Sequence, residues 1–281
     1  MKLNLLMMMF LIGFFPNQKL DKVKLKTGEK FKGKVVYIDG DVLEMKTQYG
    51  VVTIKRRMVK KMDIASIDKK IRTKSLIAHY DFNGTTRDVS KCDHHGKVKR
   101  PKWAKNRFRK RKSALYFDGH KDAVFIKSDR NLEPKRDLTI TAWVKPTSGY
   151  AAHQVVRKGL KKRRSSQASY SLQSTGGYNN RWQFGITRKN GQMTLIKDTK
   201  PMEINRWSML TATYDGDVLK LFVNGELRSS RRMSGKINYS NMPLIIGKGA
   251  RKGFKGTIDD IRIYDKALTE REIRTIYFRS E

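Results

Sequence analysis

"GFKGTIDDIRIYDKALTEREI", residues 253–273, sets two adjacent carboxylates at the head of a segment that otherwise reads as a buried strand. Side chains of an extended chain alternate between faces, so Asp259 falls with Ile261 and Ile263, and Asp260 with Arg262. On that reading Asp260 meets water and Asp259 meets the core. A bare carboxylate in a core costs several kcal/mol, so Asp259 needs hydrogen-bond donors, a counter-charge or a metal ion beside it. Just beyond, Thr269-x-x-Glu272 forms a capping box, and Ile273 and Ile276 give the helix it opens an apolar side.

Upstream, short apolar segments predict strands over residues 76–82, 114–117, 123–126, 138–144, 169–173, 182–187, 209–214, 218–223, 244–247 and 256–264. Many are separated by turn pairs: Asn83-Gly84, Asp118-Gly119, Asn190-Gly191, Asp215-Gly216 and Asn224-Gly225. Short strands at this spacing over some 200 residues predict an all-β sandwich or jelly roll.

The segments "LIAHYDFNG", "DVSKCDHHGKV", "ALYFDG", "LTITAWVKP", "WSMLTATYDGDVLKLFVNGEL", "LIIGKG" and "FKGTIDDIRIYDKALTEREI" follow one another in the order found in laminin-G-like, concanavalin A-like (lectin/glucanase) jelly rolls, which this chain resembles over about residues 76–278. The resemblance implies two antiparallel sheets face to face, with the first and last strands side by side. It also implies an extracellular glycan-binding or adhesive role, often with a structural calcium. With the strand ending at Phe82 paired to the one beginning at Gly256, Asp259 lies near the Asn83-Gly84 turn, where oxygens can converge. Calcium takes six to eight oxygens at roughly 2.3–2.6 Å. The candidate metal set is Asp259, Asn83 and Asp88. The family usually carries an acidic residue where Asn83 stands, so the ion is expected to be weakened, and Asp259 satisfied by backbone amides or an arginine is the alternative. Asp88 reads first as an Asx-turn residue bonding the backbone near Ser90, with ligation the second reading.

From Val23 to about Asp68, "VKLKTGEKFKGKVVYIDGDVLEMKTQYGVVTIKRRMV" reads as four or five antiparallel strands around Thr27-Gly28, Asp39-Gly40 and Tyr49-Gly50, a meander short enough to curl into a small barrel. Its Val23-x-Leu25, Gly28, Gly33-x-Val35 and Asp39 resemble the first signature of Sm-like (SH3-like) barrels. The Asn that helps that family hold RNA bases is missing from Asp41-Val42-Leu43-Glu44, which removes the implied RNA role at its key position. The expected organisation is an N-terminal signal or anchor over 1–20, the small barrel over 21–68, a linker over 69–75 and the jelly roll over 76–281.

The N-terminal run from Leu5 to Phe15, ending at Pro16, is shorter than the ~20 residues that span a bilayer and has the length of a signal-peptide core. Export to the periplasm, cell surface or medium is the expectation, by a cleaved signal peptide or with a retained anchor. No other segment approaches spanning length. Cys92 is the single cysteine, so no internal disulfide forms.

Sixty-two Lys plus Arg against 26 Asp plus Glu give a formal charge of +36, which favours polyanionic partners. Two loops concentrate it: residues 97–112, "KVKRPKWAKNRFRKRK", and 157–164, "RKGLKKRR". Arg107, Arg109, Lys110, Arg111, Lys161, Lys162, Arg163 and Arg164 are the candidate anion contacts, the guanidinium groups suiting sulfate, phosphate or carboxylate. The loop "STGGYNNRW" adds Tyr178 as a stacking ring, with Asn179, Asn180 and Arg181 as planar donors to sugar hydroxyls. Cys92, Asp93, His94 and His95 lack the second ligand pair of a zinc site. The Glu-x-Asp-x-Glu acids of the glucanase branch are missing, and Asp259 and Asp260 on opposite faces cannot act as an acid pair. The expectation is therefore a non-catalytic, exported binding protein for anionic polysaccharide. A nucleic-acid-binding protein and a structural envelope protein are the rivals.

Overall fold

In a computed structural model of the chain, the described residues are 20–38, 42–63, 75–159, 168–239, 241–249 and 253–278. They form two compact units, Met1–Ile67 and Asp68–Glu281. The signal or anchor segment (apart from Leu20), Asp39, and all but Ser75 of the expected linker lie outside the described residues.

The first unit is one antiparallel sheet of β1 (Asp21–Leu25), β2 (Lys30–Ile38), β3 (Val42–Thr47), β4 (Gly50–Lys55) and β5 (Val59–Asp63), in the order β4-β3-β2-β1-β5. Alternation sorts it: Val23, Leu25, Val35, Leu43 and Met45 are buried, while Lys22, Lys24 and Lys32 are exposed. Gly28, at φ 99°, takes the left-handed turn between β1 and β2 that a side chain resists.

The second unit stacks two antiparallel sheets. The first is ordered β15-β14-β13-β12-β19-β10-β7, from β7 (Gly96–Lys99), β10 (Ala123–Ile126), β12 (Gln154–Gly159), β13 (Ala168–Ser174), β14 (Trp182–Thr187), β15 (Met193–Lys197) and β19 (Leu244–Ile246). The second is ordered β18-β17-β16-β11-β20-β9-β8, from β8 (Lys102–Ala104), β9 (Ala114–Asp118), β11 (Asp137–Pro146), β16 (Ser208–Asp215), β17 (Val218–Val223), β18 (Glu226–Arg232) and β20 (Lys255–Tyr264). The opening strand β6 (Leu76–Tyr80) lies against β20, with Ile261 opposite Tyr80 and Ile263 opposite Ala78. The first and last strands are thus side by side, and the unit is an all-β jelly-roll sandwich. Leu138, Ile140, Ala142, Val144, Ile258, Ile261 and Ile263 of the second sheet meet Val124, Val156, Tyr170, Leu172, Phe184 and Ile246 of the first in one core.

The other face of the second sheet is covered as well. Trp143 points there and stacks on Tyr277 of the single described helix, α1 (Glu270–Phe278), with ring centroids 5.5 Å apart. The capping box closes α1 as expected: the Thr269 N–H donates to Glu272 Oε2 at 2.8 Å, and the Glu272 N–H to Thr269 Oγ1 at 3.3 Å.

One glycine lets the two layers approach closely. Gly247 follows β19 at φ 80°, and a methyl group there would come within 2.0 Å of the Phe117 ring on β9. Gly84, at φ 71°, faces open space. Gly247→Ala combines overpacking with backbone strain and is expected to lower unfolding free energy by about 3 kcal/mol, against about 1–2 kcal/mol for Gly84→Ala, which adds strain alone. Urea unfolding of the two variants reads the difference, and equal losses would show that Phe117 yields freely.

Candidate functional site

The paired carboxylates of β20 sit in a bulge. Trp143 is opposite Asp259 and Thr141 opposite Arg262, so β20 holds one residue more than β11 across this step. The extra residue is Asp260, at φ 47°, a left-handed conformation that Asp adopts more readily than most side chains. Alternation restarts beyond it. Ile258, Ile261 and Ile263 all point into the core, while Asp259 and Asp260 both turn to the outer face beside Trp143. The expected opposite orientation of the two acids, with Asp259 on the isoleucine face and Asp260 in water, is corrected: they are only 1% and 4% exposed and lie together.

Their counter-charge is Arg107. Its Nη1 donates to Asp259 Oδ2 at 2.8 Å and its Nη2 to Asp260 Oδ2 at 3.3 Å. The guanidinium carbon lies 4.5 Å from the Phe108 ring centroid and 4.7 Å from that of Trp143, so the cation is held between two aromatic rings. Asp260 also accepts from Arg262 Nη2 at 3.0 Å and contacts His79 Nε2 at 2.9 Å. A tight turn sends Arg107 inward: Asn106 Oδ1 accepts the N–H groups of Phe108 and Lys110, with Arg109 at φ 64°. Arg107, expected to contact ligand from an exposed loop, is instead buried. In the sequence its only mark is its place between a turn-forming Asn106 and an aromatic Phe108.

The proposed calcium set does not fit this arrangement. A guanidinium 2.8 Å from Asp259 already supplies positive charge there and would repel a divalent ion. Asp88 accepts from the N–H groups of His79, Ser90 and His94, at 2.8, 2.9 and 3.1 Å. Burial would raise its carboxyl, but these backbone donors together with the Ser90 side chain outweigh burial and lower it. That is the Asx-turn reading. Asn83 donates to Asp81 and retains one buried, unpaired Oδ1, a single neutral oxygen where calcium takes six to eight. Among the described residues no cluster of three or more His, Cys, Asp or Glu is placed to hold a metal ion.

The sugar-facing candidates separate into scaffold and surface. Asn180 is buried: its Oδ1 accepts from Gly176 N–H at 2.7 Å and its Nδ2 donates to Ala151 O at 2.7 Å. Arg181 donates to the carbonyls of Asp198 and Thr199. Both therefore build the loop. Tyr178 and Asn179 stand out from it, and Tyr178, 89% exposed, meets Tyr150, 60% exposed, edge to face at 4.8 Å. A hydrogen bond with Tyr178 raises the Tyr150 phenol above its ordinary value. The Gly177 N–H donates to Tyr150 O at 3.0 Å, so the two loops are laced by backbone. Sequence reading missed Tyr150, although the Gly-Tyr pairs 149–150 and 177–178 repeat one pattern. Arg109, Lys110 and Arg111 are exposed as expected, whereas Lys161, Lys162, Arg163 and Arg164 lie outside the described residues. Lys158 of the same basic run is buried in β12, with Nζ 2.7 Å from Met242 O and 3.2 Å from Glu133 Oε1.

A laminin G-type family profile, described as the concanavalin A-like lectin/glucanases superfamily, matches residues 118–274. The chain belongs to this superfamily. Pappalysin-1 is a similar protein, 25% identical over 175 residues in Mus musculus and 26% over 184 in Homo sapiens, each alignment taking in 57% of this chain. The chain spans 11% of the length of pappalysin-1. Among solved structures, the binding domain of Paraclostridial Mosquitocidal Protein 1 superposes with a TM-score of 0.59 at 16% identity, covering 73% of this chain and 52% of that one. Domain 4 of AbnA, an extracellular arabinanase from Geobacillus stearothermophilus solved with arabinotriose, gives 0.57 at 17% identity, covering 73% and 98%. A botulinum neurotoxin type C structure, whose title ties cell entry to two ganglioside molecules, gives 0.55 at 15%, covering 73% and 51%. At these identities the likeness is one of fold.

Within this superfamily member Asp260 carries a pH signature. Burial would raise the Asp260 carboxyl, but Arg262, then His79 and Arg107, outweigh it and hold the group well below the usual carboxylate range. A depressed folded value contributes stability in full above the unfolded value, near 3.9, and loses it as pH falls. Asp260→Asn keeps a residue that tolerates the left-handed backbone but cannot ionise. The slope of unfolding free energy against pH from about 4 down to 2 is expected to become shallower by up to one proton, about 1.4 kcal/mol per pH unit, in urea titrations. An unchanged slope would mean that Asp260 takes up its proton over the same pH range in the fold as in the unfolded chain.

Proposed function

We propose that this protein is an exported, non-catalytic carbohydrate-binding protein whose sugar contact is made by Tyr150 and Tyr178. The observation that carries the reading is the pair of exposed, touching rings on two loops laced together by Asn180 and backbone. Tyrosine offers an apolar face and a hydroxyl at little conformational cost, a suitable surface for a sugar ring with its C–H and O–H faces. Asn179 stands beside it as a free-standing planar amide. Superfamily membership supports the class, as do fold neighbours solved with arabinotriose or tied by title to gangliosides. The absence of catalysis is supported by the acids: Asp259 and Asp260, the adjacent pair, are tied to Arg107 in a buried cluster. A preference for anionic glycans is supported by exposed Arg109, Lys110 and Arg111 and by the charge of +36. Export rests on the apolar N-terminal run. Among the described residues no helix is long and apolar enough to cross a membrane.

A second reading, nucleic-acid binding by the first unit, has one observation in its favour. Lys30, Lys24 and Lys61 lie directly opposite one another across β2, β1 and β5, next to the Lys22–Lys32 pair. Like charges in register cost stability and would suit a phosphate backbone.

A glycan array at two salt concentrations tests the first reading. Tyr150→Ala combined with Tyr178→Ala is expected to lower binding at least tenfold, about 1.4 kcal/mol, with an unchanged melting temperature. Undiminished binding would remove the tyrosine site. A single-stranded oligonucleotide bound in preference to every glycan, with Lys24→Gln and Lys61→Gln weakening it, would favour the second reading instead.

A further inference from the structure

The structure assigns a second ligand site: a cleft of about 410 Å³ in which Arg130, Lys135, Lys189 and Lys236 converge, built to take the carboxylate or sulfate of an acidic saccharide. That volume lies within the roughly 300–1,000 Å³ of small-molecule sites. The convergence is constructed by backbone. Ile237 N–H donates to Lys135 O at 3.1 Å, Lys189 N–H to Lys236 O at 3.0 Å, and Asn238 N–H to Thr187 O at 2.8 Å. Three segments distant in sequence are thereby stitched into one rim, and all four cations on it are exposed.

The cleft has a single acid of its own, Glu133, and that carboxylate already faces the buried Lys158 ammonium at 3.2 Å. The charge presented to a ligand is therefore strongly positive. Tyr239 forms an apolar wall. Its hydroxyl donates to Pro134 O at 2.5 Å, and burial raises its phenol well above the ordinary value, so the ring stays neutral and fixed. A neutral ring beside four cations suits a sugar bearing an acidic group better than a bare ion or an extended polyanion. The saccharide part of this assignment rests on the carbohydrate-binding reading, whereas the capture of an anion does not.

Calorimetric titration at about 0.15 M salt with a sulfated disaccharide and its unsulfated counterpart tests the assignment. A short probe avoids the counter-ion release that lets any cationic surface hold a long polyanion. Wild type is expected to bind the sulfated form at least tenfold more tightly. Lys189→Glu with Lys236→Glu is expected to abolish that preference, while Lys97→Glu with Lys99→Glu on β7, an equal change in net charge outside the cleft, is expected to alter it less than twofold. Equal loss in both double variants, or no binding of the sulfated disaccharide by wild type, would overturn the cleft. Failure of the tyrosine site is read separately, since it appears as loss of uncharged glycans on the array and leaves the sulfate preference intact.

Discussion

The contact between Arg107 and the carboxylates of Asp259 and Asp260 is the constraint on which the jelly roll depends. β20 pairs with β11 along one edge, and with β9 and then β6 along the other, so the strand carrying the two acids is the seam of its sheet. Two adjacent carboxylates removed from water at that seam would be untenable without compensation. A bulge brings both to one face, where Arg107 contacts both and Arg262 and His79 add to Asp260. Arg107 also ties the 106–110 turn to the sheet through Phe108 and Trp143, and Trp143 in turn stacks on the terminal helix. A single buried cation thus joins loop, sheet and helix.

This arrangement explains how a chain with so much positive charge keeps an ordered frame. Some cations are structural: Arg107 under its turn, Lys158 beneath the cleft, and Arg181 bonded to the carbonyls of residues 198 and 199. Others, including Arg109, Lys110, Lys135, Lys189 and Lys236, are left on rims and loops. Charge inside the fold is matched by geometry, and charge outside it faces solvent. The division between the two cannot be read from a count of lysines and arginines.

Much of the fold was legible in the sequence because its signals are local. Turn pairs such as Asp215-Gly216 and Asn224-Gly225 bracket strands whose apolar alternation is plain, and the capping box at Thr269 and Glu272 specifies the helix start. The pairing of the first and last strands came from a resemblance, not from any local pattern. What escaped were β7, β8, β12, β15 and β18: lysines on the exposed faces of β7 and β8 look like loop, β18 is mostly polar, β12 runs into a basic stretch although its Lys158 is buried, and β15 is a short segment just after the Asn190-Gly191 turn. The site was less legible still. Period-2 alternation put Asp259 and Asp260 on opposite faces because a bulge of one residue leaves no trace in hydrophobicity. Asn180 and Arg181 looked like ligand donors because an amide or guanidinium spent on neighbouring carbonyls cannot be told from an available one without coordinates, and Tyr150 was passed over because its partner lies in another loop.

Thermal unfolding of the wild-type chain and of Arg107→Ala, each with millimolar calcium and with a chelator, addresses the buried contact most directly. With an arginine as the resident cation, wild type melts at the same temperature in both solutions, and Arg107→Ala melts far lower because it removes the cation that bridges two buried carboxylates, leaving Asp260 to Arg262 and His79, a loss of about 3–5 kcal/mol. A wild-type midpoint that rises by several degrees in calcium, with Arg107→Ala nearly as stable, would contradict it and return the seam to a metal ion.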